Sequence, residues 1–189
     1  MTGSGRGRRL LGVEDGSFEA FSDSAGSTYL CGVVMDSGVI RDVRLAEISV
    51  DGLDATERLL EIMEGLDLDA VILGGITFAG FNVMDPFKIF DETMVPIIVY
   101  SGVKPDNESM YQALKKNFGD WKARWGIVER LGDVYETVSF RGEPGIYFEV
   151  VGCTPTWAEE TLRSAALISR IPEPVRVAGI IARGLSPFC

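Results

Sequence analysis

The sequence of 189 residues contains no histidine. This absence excludes Ser-His-Asp and Cys-His nucleophilic catalysis, the HExxH zinc site and an imidazole general base. The three cysteines are far apart and never form a CxxC pair, so we expect neither a structural zinc site nor a disulfide framework. Chemistry in this chain therefore has to rest on carboxylates, hydroxyls, backbone amides, lysine or arginine.

Several common motifs and segments are also missing. No Gly-Lys pair exists for a P-loop, no GxSxG elbow occurs, and the glycines of residues 3–7 precede the first predicted strand instead of following it. No segment reaches the roughly 18–20 apolar residues that cross a bilayer, because glycines, Thr77 and Asn82 interrupt the longest candidate. We therefore expect a soluble, cytoplasmic protein with no membrane partner.

The residues present indicate one globular domain. Hydrophobic residues make up 46% of the chain and charged residues 24%, at a length that suits a single sizeable core. We expect residues 1–9 to form a flexible basic segment and residues 10–189 to form the domain.

Hydrophobic periodicity predicts a mixed α/β fold. The predicted strands are 10–15, 29–35, 39–50, 70–73, 96–100, 135–140 and 146–151, and the predicted helices are about 54–66, 85–94, 105–118, 156–170 and 174–184. A hairpin followed by strands that helices connect is the ribonuclease H-like order, whereas a flavodoxin-like sheet begins strand–helix–strand. We therefore expect a ribonuclease H-like mixed sheet flanked by helices.

Acidic residues gather where the predicted strands end. They are Glu14, Asp15, Asp51, Asp54 and Asp85. The carboxyl ends of strands form the functional edge of an open α/β sheet. Carboxylates that meet there bind Mg²⁺ or Mn²⁺, which can activate water without any histidine.

Each of these acids also has a structural interpretation. Asp54 and Asp85 precede predicted helices and can serve as N-caps, as Thr156 can with Glu159. Asp51 before a glycine can form an Asx turn. The adjacent pair at 14–15 can be turn acids, although two neighbouring carboxylates after an apolar strand repel each other unless a cation offsets them.

Two further segments are candidates for substrate binding. The first, residues 74–82, follows a predicted buried strand and contains three glycines. Its aromatic residues Phe78 and Phe81 can stack on a base or simply belong to the core. The second, residues 115–130, carries five basic residues against two acids, with tryptophans between them. The net charge of −10 disfavours nucleic acid overall, so this segment is either a local DNA-binding face or a solvated helix face.

Four segments together resemble the archaeal endonuclease dU family. They are LGVEDGSF at 11–18, VDGLD at 50–54, LGGITFAGFN at 73–82 and PEPVR at 172–176, and the resemblance extends from about residue 9 to about residue 185. That family is similar to endonuclease V, a ribonuclease H-like, Mg²⁺-dependent enzyme that nicks DNA near deaminated bases. The resemblance implies metal-dependent cleavage of DNA at deoxyuridine.

The resemblance also implies roles for individual residues. The first acid of endonuclease V falls on Glu14 or Asp15 and the second near Asp51 or Asp54, whereas the third falls at Gly74 and Gly75. We hypothesise that Asp85, from the following loop, substitutes for this missing metal ligand. The residues that approach the base or the phosphates are Gly74, Gly75, Thr77, Phe78, Gly80, Phe81, Asn82, Lys115, Lys116, Trp121, Lys122 and Arg124.

The missing third acid supports an alternative function. In that case the chain is a non-catalytic module that binds nucleic acid or protein on a degenerate nuclease scaffold. The sequence leaves the oligomeric state open.

Overall fold

The computed structural model describes residues 7–18 and 26–186. Most of the predicted N-terminal segment and the whole of Cys189 lie outside these residues. Cys31 is buried and Cys153 half-buried, and both are free thiols. Across the described ranges, no helix has the length and apolar character to cross a membrane.

The described residues form nine strands and six helices. The strands are β1 Arg9–Asp15, β2 Ser27–Asp36, β3 Val39–Ser49, β4 Ala70–Leu73, β5 Thr77–Phe78, β6 Asn82–Val83, β7 Ile97–Ser101, β8 Tyr135–Thr137 and β9 Ile146–Val151. The helices are α1 Ala55–Met63, α2 Pro86–Thr93, α3 Asn107–Asn117, α4 Trp121–Leu131, α5 Pro155–Ala165 and α6 Glu173–Leu185.

Seven strands form one mixed sheet in the order β3-β2-β1-β4-β7-β9-β8. β2 pairs antiparallel with both β1 and β3, while β1, β4 and β7 are parallel. β9 then pairs antiparallel with β7. The predicted hairpin and the predicted strands connected by helices are therefore confirmed. Because β1, β4 and β7 are parallel, their carboxyl ends meet at one edge.

The sheet has an apolar core on each face. On one face, Leu11, Val13 and Val99 pack with residues of α1 and α2. On the other face, Ile72 and Ile98 pack against α5, and α6 covers β1 and β2. Both faces of the central strands are thus buried, which explains the wholly apolar sequence of β4.

Glycine at position 12 allows α6 to lie directly on β1. A Cβ atom at Gly12 would come within 2.2 Å of the carbonyl carbon of Pro174, a backbone atom that cannot rotate away. The helix therefore approaches the strand at backbone contact distance.

Several predicted element boundaries differ from the structure. α5 begins at Pro155, and the hydroxyl of Thr154 accepts the Trp157 N–H, so Thr156 is not the N-cap. The helix ends at Ala165, and in the loop that follows the backbone N–H of Arg170 donates to the Glu143 carboxylate. The periodicity also does not predict α4 or the short β5–β6 hairpin.

Candidate active site

The end of β1 directs its two acidic side chains to opposite faces of the sheet. Side chains alternate along a strand, so Asp15 follows Leu11 and Val13 on the face covered by α1 and α2. Glu14 points toward α6, where its Cγ lies 2.9 Å from the position a Cβ would take on Gly179. The two neighbouring acids therefore have different surroundings.

Asp15 and Asp51 are held by the same turn, residues 79–81, between β5 and β6. The Asp15 carboxylate accepts the Ala79 N–H through Oδ2, and the Asp51 carboxylate accepts the Phe81 N–H at 2.8 Å. The backbone N–H of Asp51 also donates to the Ala79 carbonyl at 2.8 Å. The turn thus joins the end of β1 to the loop after β3 and brings two predicted site acids to one segment.

This turn, and Asp51 which it binds, have unusual backbone conformations. Ala79 and Asp51 have φ angles of 43° and 56°, in the left-handed region that side chains rarely adopt. Gly80 lies between the two turn amides with φ 86°, and a Cβ there would be 2.3 Å from Oδ1 of Asp51. Glycine at 80 is therefore what lets the Asp51 carboxylate reach the turn. Strained residues of this kind cluster at functional sites.

The acids at the end of β1 resist ionisation. Burial, and secondarily the charge of Asp15, raise the pKa of Glu14 from 4.5 to about 7, although Arg183 on α6 opposes the rise. Burial also raises the pKa of Asp15, against the hydrogen bond from Ala79. The positive charge near this strand end is too small to offset two carboxylates, so a bound cation would stabilise their ionised forms.

Glu14 occupies the space next to Gly74, the position where the third acid was missing. A Cβ on Gly74 would lie 2.4 Å from Oε2 of Glu14 and 2.6 Å from its carboxyl carbon. The end of β4 therefore has no acid of its own, but the carboxyl group of the neighbouring strand lies against it.

Asp54 stabilises the loop between β3 and α1. Its carboxylate accepts hydrogen bonds from the backbone and hydroxyl of Ser49 and from the side-chain amide of Asn82, at 2.6 Å for the amide. Burial alone would raise the pKa of Asp54, but these donors lower it below its ordinary value. Although Asp54 precedes α1, its side chain makes no capping bond, and Asn82 instead accepts the first free N–H of that helix, from Ala55.

Asp85 is the N-cap of α2. Its carboxylate accepts the N–H groups of Phe87 and Lys88 at 3.0 and 3.1 Å, and Pro86 occupies the first helical position. The structural interpretation of Asp85 is thus confirmed, and its role as a metal ligand remains a prediction.

The predicted metal ligands do not form a multidentate group. Within residues 7–18 and 26–186, no cluster of three or more histidine, cysteine, aspartate or glutamate side chains is arranged to hold a metal ion. Asp15 and Asp51 share the turn, and Glu14 lies beside Asp15 on the other face. The site therefore provides one or two carboxylates to a bound ion, not three or more.

Three of the predicted substrate-binding side chains lie inside the protein. Phe78 and Asn82 are 1% and 0% exposed. Arg124 is 5% exposed and donates to the carbonyls of Gly52 and Phe81 at 2.9 and 2.6 Å. In this structure these residues stabilise the loops around the site. The other predicted residues of this segment, Gly74, Gly75, Thr77 and Gly80, belong to the backbone that runs beside the acidic residues.

The predicted basic face forms a cluster with aromatic rings on α3 and α4. The ring of Tyr111 contacts Trp121 and Trp125, with centroids 5.5 and 5.1 Å away. The ammonium groups of Lys115 and Lys122 lie over the Trp121 ring at 5.9 and 5.7 Å. Lys116 is exposed on the last turn of α3. The cluster thus combines cations with half-buried rings.

One acidic residue near the site escapes the sequence analysis. Glu149 lies in the middle of β9, is only 6% exposed, and has its pKa raised by burial to about 7. The sequence feature that could have drawn attention to Glu149 is its position as the one acid in the otherwise apolar strand Ile146–Val151.

Comparison with protein families and known structures identifies the relatives of this chain. The family described as endonuclease dU matches residues 6–186, nearly the whole sequence. The chain belongs to the endonuclease dU family. A UPF0215 protein of Methanothermobacter thermautotrophicus is 39% identical over 183 residues, covering 94% of this chain and 87% of that protein. The resemblance inferred from the motifs is therefore confirmed.

Solved structures extend the comparison of this endonuclease dU protein to its fold. A protein of unknown function from Archaeoglobus fulgidus DSM 4304 superposes with a TM-score of 0.80 at 31% identity, covering 93% of this chain and 96% of that one. Endonuclease V of Ciona intestinalis, in complex with a 24mer DNA containing an inosine followed by a ribo-adenosine, superposes with a TM-score of 0.58 at 14% identity, covering 94% and 85%. The fold is thus ribonuclease H-like, as expected from the order of elements.

Proposed function

We propose that this protein is a metal-dependent endonuclease that hydrolyses a phosphodiester bond of DNA at deaminated bases such as deoxyuridine. The observation that carries the proposal is the pair Asp15 and Asp51, held by the strained turn at 79–81 at the end of the central strands. Membership of the endonuclease dU family supports it. So does the shared fold of an endonuclease V bound to inosine-containing DNA.

The donor set suits a hard divalent cation that the substrate helps to bind. Mg²⁺ in phosphate-transfer sites usually has one or two carboxylates, several waters and the substrate phosphate as ligands. Asp15 together with Asp51 would supply such carboxylates, with Glu14 on the opposite face of the strand end. Burial raises the pKa values of Glu14 and Asp15, so a cation would stabilise their ionised forms. Such an ion supplies an activated water and charge stabilisation when bound.

The remaining residues would hold the site and the DNA. The bond from Ala79 orients one oxygen of Asp15, and Gly80 keeps Asp51 against the turn. Lys115 and Lys122 would contact phosphates, with the neighbouring Trp121 ring available for stacking on an unpaired base. Asp54 and Asp85 would act by shaping the loops that they already bind.

Asp15→Asn is the direct test. We expect the substitution to abolish nicking of labelled oligonucleotides that contain uracil or hypoxanthine in Mg²⁺ or Mn²⁺, because a neutral amide binds such ions far more weakly. The unfolding midpoint in urea should stay near that of the parent. Asp133→Asn, an exposed acid between α4 and β8, is the matched control. Full nicking by Asp15→Asn would remove Asp15 from the site.

A non-catalytic binding module remains the second candidate. It is favoured by the absence of a cluster of three metal-binding side chains in the described residues and by glycine at 74. In that case the parent protein would bind DNA equally well in Mn²⁺ and in EDTA and would cut none of the substrates.

A further inference from the structure

Glu149 is a buried carboxyl group that forms no hydrogen bond or ion pair with any residue in the described part of the chain. Its register partner on β7 is Val99, and the flanking strand residues Phe148 and Val150 are apolar. Burial raises its pKa to about 7, with no charged neighbour contributing. The carboxyl oxygens of Glu149 are not completely enclosed, but a carboxyl group with little access to water and no protein partner costs folding free energy. A ligand that forms hydrogen bonds with Glu149 would remove that cost.

Glu149 lines a cavity of about 280 Å³ at the carboxyl ends of β4 and β7. This volume is slightly below the range of about 300–1,000 Å³ that is usual for small-molecule pockets, so it suits one planar ring. Ile76, Val99 and Met110 contribute apolar wall, and Thr77, Ser101 and Asn107 contribute polar groups. An apolar pocket with a few polar groups is typical of specific ligand sites.

The cavity adjoins the acidic end of β1. Gly75 lines it and directly follows Gly74, against which the Glu14 carboxyl lies. Val99 belongs to the same apolar core as Leu11 and Val13, so Glu149 is on the same sheet face as Asp15. A group bound in the cavity would therefore be next to the proposed site of hydrolysis.

Building on the proposed function, we propose that this cavity binds a single nucleobase turned out of the DNA, and that the Glu149 carboxyl hydrogen-bonds a ring N–H and the adjacent carbonyl of that base. Uracil and hypoxanthine both present this pair of groups. A protonated carboxyl provides one acceptor and one donor, which matches the pair. Enzymes that act on a base commonly extrude it and recognise its Watson–Crick edge in a pocket.

The experiment measures base recognition separately from cleavage. Fluorescence anisotropy in EDTA compares three oligonucleotides that differ at one position: deoxyuridine, N3-methyldeoxyuridine and an abasic analogue. The methyl group blocks the ring N–H and leaves both carbonyls. We expect the parent to prefer deoxyuridine by about 5- to 150-fold, the discrimination of one two-point base contact.

Two variants with opposite expected results identify Glu149 as the recognising group. Glu149→Leu removes the hydrogen bonds and should bind deoxyuridine and N3-methyldeoxyuridine equally. Glu149→Gln keeps an acceptor and a donor and should retain the preference, which also shows that the fold tolerates a neutral side chain. The exposed Glu160→Gln on α5 is the control and should behave as the parent does.

The pH dependence of base binding distinguishes the glutamate of the parent from the glutamine of the variant. Above pH 7 the preference of the parent for deoxyuridine over the abasic analogue should fall, because ionised Glu149 no longer donates to the base carbonyl, whereas Glu149→Gln should keep it. Two other titratable groups line the cavity. Burial raises the pKa of Tyr100, and hydrogen bonds from Ser109 lower the pKa of Asp106, so neither titrates near pH 7. Glu14 lies on the opposite face and is unchanged in the variant.

Each result is decisive. A parent without preference for deoxyuridine, or a Glu149→Leu variant with the full preference, would overturn the base-binding assignment. Absence of nicking in Mg²⁺ or Mn²⁺ by a protein that still shows the preference would overturn the nuclease and leave the base site in place.

Discussion

Glu149 should also make the folded protein less stable as the pH rises. The pKa of this carboxyl rises from the ordinary value of 4.5 to about 7 in the folded protein. The folded state therefore binds more protons than the unfolded state between these two pH values. Each pH unit of difference corresponds to about 1.36 kcal/mol. Ionised Glu149 therefore costs about 3 kcal/mol, a penalty that is absent below pH 4.5, grows between 4.5 and 7, and is complete above 7.

Urea unfolding of the parent and of Glu149→Gln at pH 5 and pH 8.5 measures this penalty. We expect the two proteins to differ little at pH 5 and the variant to be more stable by about 2–3 kcal/mol at pH 8.5. Taking the difference between the proteins at each pH cancels the titration of Glu14. Glu160→Gln, with its side chain 65% exposed on α5, is the control. Equal differences at the two pH values would refute the reasoning that burial controls this carboxyl.

Two further substitutions test the architecture around the site. Gly12→Ala should destabilise the fold by about 1–3 kcal/mol, because its Cβ would overlap the backbone of α6; Gly119→Ala, with nothing within 4 Å, should be close to neutral in the same urea assay. Arg124→Ala should cost about 2–3 kcal/mol in urea unfolding, because it leaves two carbonyls unpaired and removes a guanidinium 4.4 Å from the Phe118 ring centroid. A loss below about 0.5 kcal/mol would show that water replaces those bonds.

The order of elements and the family could be predicted from the sequence because both depend on local patterns. The alternation in β3, the apolar run of β4 and the proline after Asp85 each indicate a local conformation, and the structure confirms it. The motif at 73–82 is contiguous, so its resemblance to the endonuclease dU family was also visible without any tertiary contact.

The detailed arrangement of the acids could not be predicted because it depends on contacts between distant segments. The approach of Glu14 to Gly74 follows from the register of β1 on β4. The sharing of one turn by Asp15 and Asp51 follows from a left-handed backbone at three positions. The basic character of Arg124 suggested a surface role, which its burial contradicts. Its partners are carbonyls 43 and 72 residues away, which local sequence patterns do not reveal.

The close packing of α6 against the sheet has a consequence for folding during synthesis. Cys31, Val33 and Met35 of β2 are covered by Ala178 and Ala182, which the ribosome adds roughly 150 residues later in the chain. Until then this apolar surface of an otherwise formed sheet faces water or another chain. Completion of the fold thus depends on contacts between segments roughly 150 residues apart, and a nascent chain paused before α6 would present an exposed apolar sheet face to chaperones.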